Sequence, residues 1–99
     1  MITAIHKPLE AKHLVSVAEL TGRVNEALHN RLRCTLAQER AFDCLTLAQR
    51  LHEGNSCYTL NDLFQALDDL RRELETEDLN HLAIGARTVS ACLREDYIE

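Results

Sequence analysis

Five histidines and four cysteines are the side chains of this 99-residue sequence best suited to chemistry. The histidines are His6, His13, His29, His52 and His81, and no two stand four residues apart, so the paired-imidazole face of a helical metal site is missing. Asp78 precedes His81 by three residues, the spacing that puts a carboxylate and an imidazole on one helix face in di-metal bundles. Such a site also requires inward-facing Glu on the other helices, and the apolar faces carry none. His81 points away from the apolar stripe of its own segment. A metal-binding bundle is therefore the weakest of the chemical readings, and no metal or cofactor is expected.

Thr21, Asn25 and His29 step by four along the edge of an apolar helix face. One reading is a polar row satisfied at the border of the core. The other makes His29 a phosphoacceptor, with Arg31 and Arg33 close by in sequence, as in a histidine phosphotransfer domain. The cysteines, Cys34, Cys44, Cys57 and Cys92, form no C-x-x-C pair, and none has a histidine at a convincing local spacing to act as its base. There is no glycine-rich phosphate loop and no catalytic signature. The sequence reads as non-enzymatic.

The elements that carry these residues are helices. Leu, Ala, Glu and Arg dominate, with three Gly and one Pro to interrupt them, and strand-forming runs are missing. Residues 1–8 read as a tail and 9–99 as one helical domain, a size that can bury a core without staples. Pro8 is placed to open a first helix reaching about Arg33, with Leu14, Val17, Val24, Leu28 and Leu32 on one face. Gly22 is a candidate break. Thr35 and Gln38 have capping-box spacing, so a second helix starts at Leu36 and runs to about Glu53, stopped by Gly54. Thr59 and Asp62 cap a third helix, with Tyr58 and Leu63 spaced as a hydrophobic staple. Leu60, Leu63, Leu67, Leu70 and Leu74 form its heptad seam. Thr76-Glu77-Asp78 is the expected cap of a fourth helix, with Leu79, Leu82, Ala86, Val89 and Leu93 as its stripe. The short join leaves one continuous helix over both segments as an alternative.

The second helix is unlike the rest. Ala37, Ala41, Cys44 and Ala48 make a ridge of small side chains, flanked by Leu36 and Leu47 on one side and by Phe42 and Leu45 on the other. Apolar groups cover about two-thirds of its circumference, so it must be covered on most sides. It is either central to an up-and-down bundle or in contact with another chain. These eight residues are the expected interaction surface, and a homodimer is the expected assembly.

Charge narrows the partners. Residues 1–54 carry 7 Lys/Arg against 6 Asp/Glu, and residues 55–99 carry 4 against 10. The acidic half repels a phosphate backbone, so nucleic acid is a poor candidate. With four aromatics, there is no stacking platform for single strands. No segment has the apolar length of a membrane span or a signal peptide, which points to a cytoplasmic protein. The expectation is a small protein–protein interaction module (adaptor, chaperone, inhibitor or regulator) working through helix faces.

Overall fold

A computed structural model describes residues 8–29, 36–54 and 57–98. It contains four helices: α1 (Ala11–Leu28), α2 (Leu36–His52), α3 (Leu60–Thr76) and α4 (Asn80–Tyr97). There is no strand among the described residues. Each helix packs on the next in sequence, and α4 closes on α1, whereas the diagonal pairs do not approach one another. The result is one all-helical bundle around one core.

The first helix starts later and ends sooner than its apolar period suggests. Leu9 stays outside it because its N–H donates to Leu51 O at 2.9 Å, which ties the chain to the end of α2. Glu10, in extended conformation, is the N-cap, so Pro8 precedes the helix without opening it. Gly22 lies within the helix and does not break it. Val17, Leu20, Val24 and Leu28 are buried. Residues 1–7 of the expected tail, and Leu32, Cys34 and the Thr35 cap, lie outside the described residues.

The heptad seam of α3 is the centre of the core. Leu63, Leu67, Leu70 and Leu74 are at most 1% exposed, and Leu60 packs against them half-buried. The helix begins as its sequence demands. Thr59 Oγ1 accepts from Asp62 N–H at 3.2 Å, and Thr59 N–H donates to Asp62 Oδ2 at 2.8 Å. Tyr58, the proposed staple residue, is 41% exposed.

The corner between α3 and α4 corrects the expected cap. Thr76, Glu77 and Asp78 end α3 rather than starting α4. Leu79 N–H donates to Leu74 O at 2.8 Å and Asp78 N–H to Glu75 O at 3.1 Å, the paired bonds of a Schellman motif. That motif needs a left-handed residue, and Asp78 supplies it at φ 64°; Asp tolerates this region better than most residues. The N-cap of α4 is Leu79, which makes no side-chain cap bond and packs against the core instead. The two helices are thus separate.

Candidate functional site

The small ridge of α2 faces inward. Ala37, Ala41, Cys44 and Ala48 are fully buried within the chain, so the ridge makes its close helix contact inside the bundle. Their shortness brings α1 close: the buried Thr21 hydroxyl donates to Val17 O at 2.9 Å and reaches Ala41 O at 3.3 Å. Burial pushes the Cys44 thiol up to about 12, so it behaves as a small hydrophobe.

The flanking residues part company. Leu47 is half-buried in the α2–α3 groove beside Ala66 and Gln65, and Leu36, on the same side of α2, is 43% exposed. Leu45 and Phe42 lie on the α1 side, and Phe42 is 67% exposed, the most exposed large apolar residue of the described chain.

Phe42 belongs to a longer pattern. Gln38, Phe42, Leu45, Gln49 and His52 step by four and three along α2. His52 Nδ1 donates to Leu9 O at 2.6 Å, which fixes this row on the α1 side. Val15, Ala18, Gly22, Asn25 and His29 step by three and four along α1, each exposed and next to the Thr21 line that meets α2. Of these ten residues none is Asp, Glu, Lys or Arg. Val15 is 52% exposed, and a side chain added at Gly22 would meet nothing within 4 Å. These two rows are therefore uncharged, with one large aromatic knob and a shallow stretch at Ala18 and Gly22, and they are bordered by exposed Glu19, Arg23 and Glu26 on α1 and by Glu39 and Asp43 beside Phe42 on α2.

A second cluster joins the start of α1 to the end of α4. His13, 5% exposed, donates from Nε2 to Asp96 Oδ2 at 2.6 Å, and its ring lies 5.4 Å from that of Tyr97. The Tyr97 hydroxyl accepts from Glu10 N–H at 3.0 Å. Lys12 Nζ stands 3.1 Å from Asp96 and 3.5 Å from Glu10. The Lys12 hydrogen bond, and then that of His13, hold the Asp96 carboxyl below the usual carboxylate range, while Asp96 raises Lys12 in return. Glu10, His13 and Asp96 each offer a ligand atom, all within 4.8 Å of one another. The Lys12 ammonium already supplies the positive charge that a metal would bring there. We read the cluster as a clasp that closes the bundle.

The sequence-level candidates sit elsewhere. His81 is exposed on α4, three residues from Asp78 in the corner. His29 is exposed at the C-cap of α1, whereas Thr21 of the same row is buried; Arg31 and Arg33 lie outside the described residues. The clasp escaped sequence reading because His13 and Asp96 are 83 positions apart. The outward row of α1 has the three-and-four period that could have shown it, but its Ala, Gly and Asn carry little apolar signal.

No helix among the described residues is long and apolar enough to cross a membrane. The chain matches no protein-family model, no curated protein and no solved structure.

Proposed function

We propose that this protein is a non-enzymatic protein–protein interaction module, an up-and-down bundle that pairs with a second copy of itself through the outward α1–α2 face. The observation that carries this reading is Phe42, two-thirds exposed in the middle of a double row without a formal charge. Helices that merely face water carry charged side chains along their outward rows, and an exposed aromatic amid uncharged neighbours in both rows is a mark of an interface. The same face holds a knob, Phe42, and a shallow receptor, Ala18 with Gly22. A two-fold axis through that face would set each knob against the partner's receptor, the self-complementarity that an isologous contact requires. The three-and-four steps of both rows suit helix packing across such an axis. The antiparallel arrangement is supported by the start of α1 lying beside the ends of both α2 and α4.

Sedimentation equilibrium tests the pairing. Twice the chain mass of 11.3 kDa is expected at micromolar concentration, with Phe42→Glu returning a folded monomer of 11.3 kDa. A wild-type protein that stays at 11.3 kDa without concentration dependence refutes the pairing. A second reading, phosphotransfer, is favoured by the exposure of His29. It requires an acid-labile phosphate on His29, which mass spectrometry at neutral and acid pH detects or rules out.

A further inference from the structure

Residues 55–99 carry ten carboxylates and only four cations, all arginine. Three of those four, Arg71, Arg87 and Arg94, line one groove between α3 and α4, where Asp68 is the single acid. The acidic half of the chain thus gathers its positive charge in one place, on helices that take no part in the α1–α2 face.

The arginines are held differently. Arg71, the least exposed of them, bonds Asp68 at 2.8 Å and Glu75 at 2.9 Å, and Asp68 also receives Arg72 at 2.9 Å. The Arg71 hydrogen bond holds the Asp68 carboxyl below its usual range, so this acid stays ionised and engaged. Arg87 reaches Glu75 at 3.6 Å and is otherwise exposed. Arg94 makes no ion pair among the described residues. Its guanidinium lies over the Phe64 ring at 4.4 Å from the centroid, and Phe64 itself is 4% exposed. A guanidinium stacked on a fixed ring keeps its edge N–H groups free and oriented, which is pre-organisation for a carboxylate.

Arg87 and Arg94 are seven residues apart on α4, two turns or about 10 Å along the groove. Between them the α4 wall is small, Ser90 and Ala91, and the α3 wall opposite holds Gln65 and Asp68, whose carboxylate is already engaged by Arg71 and Arg72. A furrow between two helices with a small-residue floor and a cation at each end fits a third helix.

We propose that the α3–α4 groove docks an acidic helical segment of a partner protein, with two carboxylates about two turns apart received by Arg94 and Arg87. Charge complementarity selects this occupant: the walls offer donors on stacked or extended arginines, and apolar floor enough for one small side chain at closest approach. The proposal extends the interaction-module reading to a second face and does not depend on the pairing through Phe42.

The test uses two labelled alanine-based helical peptides, identical except that two positions seven residues apart are both Glu or both Lys. Binding to the full chain is read by fluorescence anisotropy at low ionic strength. The Glu peptide should bind at least about tenfold tighter than the Lys peptide, and Arg94→Ala and Arg87→Ala should each weaken it about tenfold. Arg94→Lys, which keeps the charge but loses the planar fork, should fall between wild type and Arg94→Ala. Phe42→Glu should leave peptide affinity unchanged, so that loss of pairing and loss of docking are read separately. Equal binding of the two peptides, no binding of the Glu peptide, or an Arg94→Ala variant that binds like wild type overturns the proposal.

Discussion

Truncating Leu67 tests the centre of the bundle. Leu67 is 1% exposed, with Leu63, Leu70 and Leu74 of the same seam at 0%. Leu67→Ala removes three carbons from a dry site, about 2.4 kcal/mol at roughly 0.8 kcal/mol per methylene. The cavity adds to that unless neighbours move in. They are poorly placed to do so, because α2 contributes only Ala37, Ala41, Cys44 and Ala48 to the fully buried core. Side chains of one heavy atom beyond Cα, or two, have almost no reach, and the helix is tied to α1 by Thr21. The loss should therefore fall in the upper part of the usual range of about 2–5 kcal/mol, near 4. For a chain of this size that is a large share of about 5–15 kcal/mol of total stability, and a fall of about 15–30 °C in midpoint. Urea unfolding followed by far-UV circular dichroism measures it, at one fixed protein concentration because pairing would add to stability. A loss under about 0.5 kcal/mol, as at surface positions, refutes the packing argued here.

Two further outcomes follow from titration and access. Asp96 has its folded pKa below the ordinary value, so its contribution is present above the ordinary carboxylate range and is lost as pH falls through the folded pKa. The stability difference between wild type and Asp96→Asn should shrink steadily from about pH 5 to about pH 2, and a difference independent of pH would dismantle the clasp. Cys44, buried and with its thiol pushed up to about 12, should resist alkylation in the native protein at pH 8, whereas the exposed Cys57 and Cys92 react. Peptide mapping that finds Cys44 labelled as fast as Cys92 would contradict its burial.

How far the sequence could be read depended on whether the signal was local. The Thr59–Asp62 cap and the leucine seam of α3 lie within a few residues of each other, and both are found as expected. The four-helix order was legible for the same reason. The α3–α4 corner misled because acids beside a helix boundary suit the start of a helix by charge, while Asp78 is there for its backbone conformation. The ridge of α2 was seen, but small side chains are equally at home against a partner or inside the chain, and only packing decides. His13 was invisible as a buried group because its partners, Asp96 and Tyr97, arrive from the far end of the sequence. The arginine groove was hidden by the net charge of its half of the chain.

The closing of α4 on α1 makes the bundle a ring with four corners. One of the four is made without a peptide bond: there Glu10 meets Tyr97 and His13 meets Asp96. Chain order is then only one way of cutting the ring. A short linker from Ile98 to Pro8, with new ends opened after Gly54 between α2 and α3, would keep every neighbouring pair of helices and both outward faces while moving the termini to the opposite corner.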